Sequence, residues 1–595
     1  MKHVFQFLSV TLLLSIILSS CADGAPATVV VTVEVEGQLE TVVVTATPED
    51  DVEPVTLYGY STSDIPTLDP QLGEDVLSIN WIENLFVQLT NVDLATNEVV
   101  PEAATQWATS EDGLTYTFTL RTDIPWVKYN PVSGETTQEV NEQGQPRFVT
   151  AHDFEYGIKR ACDPDTGSYY SSVVAPQIKG CAEVLFAEEV TPELLDDIGV
   201  NAVDDSTLVI ELEFPASYFL TMTPMWTLAA TPQWAIEEHG EDWIEAGNIV
   251  TNGRYMLAEW VHNVRRIALR NPFLPSDLHG SGNIERVLIN LVPDQSTGYA
   301  LWLAGEVDGA YIPDQEIEAH LENFPDEAEQ VGDLSVLYVA FRMTKSPFDD
   351  VHVRRAFSAA IDRQLYIDSV LQGQGLPMKH FAPPGIFGAP PIDEVGVGFD
   401  PEHARAQFEQ AGYSDCEGFP LVTLMTWPGE GGRADAEFFI GQWQQNLGCT
   451  DDQFSIEQLP FAEMLAATAM ETPDELAPHM WTLGWAPDYA DENNWVGDVL
   501  WCKTASRSKR TCNEIDEMIV AAREEINPGK RIALYRQIEQ AFFGAEGEFP
   551  FAPIFLSIRF YAVHSWYDWK PGLFGGAQWY NDSIDQQAQL AARDQ

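Results

Sequence analysis

TLGWAPDYADENNW, residues 482–495, follows a short apolar approach (Met480, Trp481, Leu483) and turns through Gly484, Trp485, Pro487 and Tyr489. Three carboxylates, Asp488, Asp491 and Glu492, come at once. Rigid aromatic surface beside acidic groups suits an apolar body with a cationic end. The same residues would equally make an acidic surface turn around one core tryptophan, so the surrounding chain decides between the two.

That chain is 595 residues long, more than one hydrophobic core serves, and at least two lobes are expected. Hydrophobic content of 45%, with 17 Trp, 19 Tyr and 30 Phe, is ample to fill them. A mean hydropathy of −0.14 argues against a multi-span membrane protein. Past the first 20 residues no apolar run is long enough to cross a bilayer. The balance of 92 acidic against 31 basic residues gives a net charge of −61, which repels nucleic acid and anionic lipid. It would concentrate cationic ligands, subject to screening by salt. Acidic adaptation of an extracellular surface is the plainer account of the charge.

The N-terminus carries an export signal. Lys2 and His3 precede an apolar run from Val4 to Leu18, and Leu18-Ser19-Ser20-Cys21 has the form of a bacterial lipobox, whose cysteine is acylated. This predicts a protein tethered to the outer face of the cytoplasmic membrane through Cys21. Six cysteines remain: Cys162, Cys181, Cys416, Cys449, Cys502 and Cys512. An even number in an exported chain suggests disulfides. Sequence does not fix their pairing; joining neighbours (162 with 181, 416 with 449, 502 with 512) is the economical choice. No cysteine or histidine cluster has zinc spacing, and no metal or cofactor is expected.

Residues 22–54 contain no aromatic residue and two copies of TVVVT, at 28–32 and 41–45, and read as an extended spacer with a loose strand pair. The body starts near Val55 with a strand. Helical spacing of Ile79, Ile82, Leu85, Phe86 and Leu89 predicts a helix over 78–89, and TYTFTLR alternates as a strand. Thr150 caps a helix with Asp153 in the acidic slot of a capping box. The clearest helix is VHVRRAFSAAIDRQLYIDSVL, capped by Asp349 or Asp350, with Val353, Ala356, Phe357, Ala360, Ile361 and Leu365 on one face. Further helices are expected over 433–447, 513–525 and from Pro528 through Ala541. Strands and helices mixed without strict alternation indicate an α/β class.

Taken in order, TLDPQ (67–71), EAATQWATSEDGLTYTFTLR (102–121), VTAHDFEYGIKR (149–160), TNGRYMLAEW (251–260), LAGEVD (303–308), PFDDVHVRRAFSAAIDR (347–363) and GWAPDYADENNW (484–495) resemble the peptide/nickel class of extracytoplasmic solute-binding proteins. These are the oligopeptide- and dipeptide-binding receptors of ABC importers. The resemblance implies a two-lobed periplasmic-binding-protein-like fold that closes on its ligand. Lobe I would comprise 55–312 plus 545–595, with a small extra subdomain at about 101–205, and lobe II would span 313–544. It implies a monomeric receptor for a peptide, working with membrane permease subunits. Asp488 would pair with the peptide α-ammonium, Trp485 and Tyr489 would wall the pocket, and Glu74 and Val76 would present backbone to an extended ligand. Arg342 stands where relatives have a neutral residue and is a candidate for a ligand carboxylate; a salt bridge within lobe II is its alternative.

Two other functions compete with this one. The same scaffold could bind oligosaccharides, with the tryptophans as stacking platforms. An extracellular hydrolase is the rival of another class, but the chain has no HExxH and no GxSxG, and no catalytic residue is expected. GEGGR (429–433) lacks the Lys-Ser/Thr of a phosphate loop and reads as a turn.

Overall fold

The computed structural model describes residues 28–35, 38–45, 53–94, 96–503, 507–572 and 577–593. The export signal and Cys21 lie outside them. The chain divides into two units, residues 1–55 and 56–595. In the first, the two TVVVT repeats lie in antiparallel strands, Thr28–Val35 and Gln38–Thr45. TVVVT reads the same in both directions, so antiparallel pairing sets Thr28 opposite Thr45, Thr32 opposite Thr41 and valine opposite valine between them.

The second unit begins with β1 (Thr56–Ser61) and α1 (Val76–Leu85). A small antiparallel sheet follows, built from β2 (Ala104–Thr109), β3 (Thr115–Leu120), β4 (Val200–Asp204) and β5 (Thr207–Glu211) in the order β4-β5-β3-β2. Alternation along β3 turns Tyr116, Phe118 and Leu120 inward. Between β3 and β4 in sequence lies α2 (Ala151–Cys162), where the Thr150 amide donates to Asp153 Oδ2 at 2.8 Å and the capping box forms as its residues predict. Next, β6 (Tyr255–Val261), β7 (Arg265–Arg270) and β8 (Arg286–Leu291) extend a sheet ordered β6-β7-β8-β1, with β8 parallel to β1. The first half closes with α3 (Gln295–Leu303) and β9 (Gly309–Tyr311).

The second half comprises β10 (Ala328–Phe341), α4 (Val351–Ala359), α5 (Arg363–Ser369), β11 (Val422–Thr426), α6 (Glu430–Leu447), β12 (Phe454–Gln458), β13 (Met480–Trp485), α7 (Glu514–Glu524), α8 (Pro528–Phe543) and β14 (Phe551–Val563). Its strands order as β9-β14-β10-β13-β11-β12. Side chains alternate across β10: Val339 and Phe341 join one core with Phe357 of α4 and Trp443 of α6, whereas Val336, Tyr338 and Ala340 join another with Ile519 of α7 and Phe542 of α8. Helices therefore cover both faces of one mixed sheet, an α/β arrangement.

Two expectations need correction. The long helix from Val351 is broken into α4 and α5. Asp350 caps the first through the His352 amide at 2.8 Å, and Asp362 caps the second through the Leu365 amide at 3.0 Å. Buried Arg363 donates to the carbonyls of Ser358 and Ile361 at the break, and to Pro553 O at 2.6 Å. The break rotates Leu365 off the shared face, and it is 46% exposed. Secondly, the chain stays in the second half past residue 545, because Phe549, Phe551, Ala552, Ile554, Phe555 and Leu556 are buried in its two cores.

Bonds join Cys162 to Cys181, Cys416 to Cys449 and Cys502 to Cys512, each to its neighbour in sequence. Among the described residues no helix is long and apolar enough to cross a membrane.

Candidate ligand-binding cleft

The loop after β13 is shaped by Asn494, a residue the sequence did not single out. Its side-chain oxygen accepts the Trp485 indole N–H and the Asp488 amide, both at 3.0 Å. Its Nδ2 donates to Asp488 Oδ2 at 3.0 Å and to Asp498 Oδ2 at 3.2 Å. One amide thus fixes both the backbone turn and the direction of the Asp488 carboxylate.

The other oxygen of that carboxylate meets the first half of the chain. Tyr170, 318 residues earlier, donates its hydroxyl to Asp488 Oδ1 at 2.9 Å. The Tyr170 ring stands edge-on to Trp226, with centroids 4.7 Å apart, and the Trp226 indole donates to Gly73 O at 2.8 Å. Gly73 precedes Glu74, whose charge bears on the Tyr170 hydroxyl, and Val76 opens α1 at 59% exposure. Asp488, Trp485, Glu74 and the start of α1 therefore share one neighbourhood where the halves meet. Burial pushes the Asp488 carboxyl up, against the opposing pull of Asn494 and Tyr170.

Tyr489 is buried and stacks on Tyr218 of the first half at 5.8 Å, and its hydroxyl donates to Asp498. Arg523 lies between the Phe214 and Trp501 rings, 4.5 Å from each. Ser217 donates to Glu525 O at 3.2 Å, and Asn97 to Gly385 O at 3.1 Å. Aromatic and cation–π contacts thus knit the halves around Asp488.

The three carboxylates of the loop part company. Only Asp488 faces the first half. Asp491 is buried and bonded to Arg531 and to the Tyr535 hydroxyl. Glu492 is wholly buried, its oxygens meet no hydrogen-bond partner among the described residues, and burial drives its carboxyl well up. Arg342 is a further correction. It is fully buried and donates to Asp474 at 2.8 Å, to Arg507 O at 2.8 Å, to Ala469 O at 3.2 Å and to Thr472 O. Its guanidinium stitches the 468–474 segment to the second half, the salt-bridge alternative to a ligand contact.

Residues 98–505 match the bacterial extracellular solute-binding proteins, family 5, middle region. The chain belongs to that family. Family 5 proteins are extracytoplasmic binding proteins, not enzymes. Among relatives of this family 5 chain, the probable deoxycholate-binding periplasmic protein YgiS of Escherichia coli is 33% identical over 355 residues, 59% of this chain and 62% of the relative. That alignment spans less than two thirds of the relative's length. The periplasmic oligopeptide-binding protein OppA of Escherichia coli is 26% identical over 519 residues, 86% of this chain and 89% of the relative. The oligopeptide-binding protein OppAIV of Borrelia burgdorferi superimposes with a TM-score of 0.71 at 23% identity, over 89% of this chain and 100% of that one. The two-lobed family fold accommodates the two halves described above.

Proposed function

We propose that this chain captures peptides between its two halves and delivers them to the membrane subunits of an ABC importer. The observation that carries the reading is the Tyr170–Asp488 contact, which places a carboxylate between elements 318 residues apart. A peptide α-ammonium entering there would displace the Tyr170 hydroxyl or share the carboxylate with it, and would favour the ionised form that burial disfavours. Trp485 and Tyr489 supply wall, and the backbone at Glu74 and Val76 lies where an extended chain would pass. The first lobe comprises 55–312 and the chain from about 558; the second comprises 313 to about 557. Acylated Cys21 anchors the monomeric receptor at the outer face of the membrane.

Calorimetry tests the ammonium role. Asp488→Ala is expected to cost about 1.5–3 kcal/mol for free-amine peptides, the scale of a charged hydrogen bond, and nothing for N-acetylated ones. Equal weakening of both would remove Asp488 from amine recognition. A second reading is a rigid apolar acid, favoured by the 33% identity to a relative named for deoxycholate; deoxycholate is therefore the third titrant. The oligosaccharide alternative loses ground because Trp126, Trp243, Trp302, Trp443, Trp481 and Trp495 are fully buried and offer no stacking face.

A further inference from the structure

Asp488 does not have Asn494 to itself. The Nδ2 that donates to Asp488 Oδ2 at 3.0 Å also donates to Asp498 Oδ2 at 3.2 Å, so one amide nitrogen holds two carboxylates together. With both ionised, two like charges would face each other across a single neutral group, in a seam largely closed to water. The Asp488 charge bears on Asp498 accordingly and pushes its carboxyl upward.

The surroundings of Asp498 suit a group that holds a proton. Its Oδ2 accepts the Tyr489 hydroxyl at 2.5 Å as well as Asn494, whereas Oδ1 meets the Asn493 amide at the long distance of 3.5 Å. Burial raises the carboxyl to about 6, against the pull of the Tyr489 hydroxyl, the Arg523 charge and the Asn494 amide. The groups that face it come from three places. Its own loop supplies Asp488, Tyr489, Asn493 and Asn494, and α7 supplies Arg523. From the first half comes Tyr218, stacked on Tyr489 at 5.8 Å, with the Arg523 Nε donating to its hydroxyl at 3.5 Å.

An ammonium arriving at Asp488 changes this balance. Its charge lies beside both carboxylates, offsets their repulsion and favours the ionised form of each. We infer that Asp498 is a positioning residue of the amine site, joined to Asp488 through Asn494, so that capture of a ligand ammonium expels a proton from the pair to solvent. This coupling rests on the amine role proposed for Asp488 and makes capture depend on pH. Above pH 6 the pair is already ionised; below it a proton has to leave as the ligand enters, and affinity falls.

Calorimetry with Ala-Ala-Ala, in two buffers of different ionisation enthalpy, counts the protons. The peptide's own termini scarcely titrate between pH 5 and 7. The wild type is expected to release about half a proton per peptide at pH 6 and to bind about tenfold more weakly at pH 5 than at pH 7. Asp498→Asn is expected to reduce that count and flatten most of the fall, whereas a merely structural role would weaken binding alike at every pH. An unchanged count in the variant would overturn the role of Asp498. So would the same release on binding N-acetyl-Ala-Ala-Ala, which brings no ammonium. If Ala-Ala-Ala binds the wild type with no proton released at pH 6, the coupling falls while the peptide reading stands, and that measurement needs no variant to fold. If Ala-Ala-Ala does not bind at any pH, both fall.

Discussion

Asn494 does at the residue scale what the sequence credited to the carboxylates around it. Replacing it by alanine leaves the Trp485 indole, the Asp488 amide and the Asp488 carboxylate each short of a partner. Asn494→Ala is expected to lose about 1–3 kcal/mol of stability in urea unfolding, with affinity for free-amine peptides falling alongside. Glu539 carries a pH effect. Its buried carboxyl accepts the amides of Phe381 and Ala382 and is pushed from 4.5 up to about 7 by burial. The folded protein keeps this proton between those values while the unfolded chain releases it, so the stabilisation is full below pH 4.5 and is lost as pH rises to 7. Comparing wild type with Glu539→Gln isolates that change from the opposing one of His380, 4.0 Å away and held down to about 4 by burial. The stability difference should decline by on the order of 3 kcal/mol across the window. Composition identified the acidic loop but not which acid points outward, because direction depends on partners such as Arg531 and Tyr535 that are 40 or more residues away.

Among the elements, those whose determinants are local were legible. The Thr150–Asp153 cap, the alternation of β3 and the end of α6 at Gly448, which takes the left-handed φ of 81°, can each be read from a few adjacent residues. The break between α4 and α5 could not, since it depends on Pro553 O reaching Arg363 from β14. Nor could the role of Arg342, whose acceptors lie at 469–474 and 507. Arg342→Met is expected to cost about 3–5 kcal/mol in chemical unfolding, as breaking a buried pair does, while ligand affinity of the folded fraction is unchanged. Opening the Cys162–Cys181 bridge, by serine at both positions, is expected to cost about 2–4 kcal/mol.

For the whole molecule, the order of motifs was enough to give the family and its two-lobed fold. It was not enough to give the contacts that close the cleft, because Tyr170, Tyr218 and Phe214 precede their partners by about three hundred residues. The Arg523 clamp between Phe214 and Trp501 should weigh on that closure. Arg523→Gln is expected to shift the ligand-free protein toward a larger radius of gyration in solution scattering, and an added ligand should restore part of the difference. A net charge of −61 should also make association of cationic peptides slow as salt is raised.

The thirteen residues of β14 pair with β10 along nearly their whole length and, over Tyr561–Val563, with β9 on the other side, without a loop between. An uninterrupted ribbon of this kind resists sliding but yields to torsion, so the jaws swing about a spring rather than a slack tether. Its backbone amides should stay protected from deuterium through every cycle of uptake and release, and a proline set at Ile558 would cripple the motion while leaving both jaws folded.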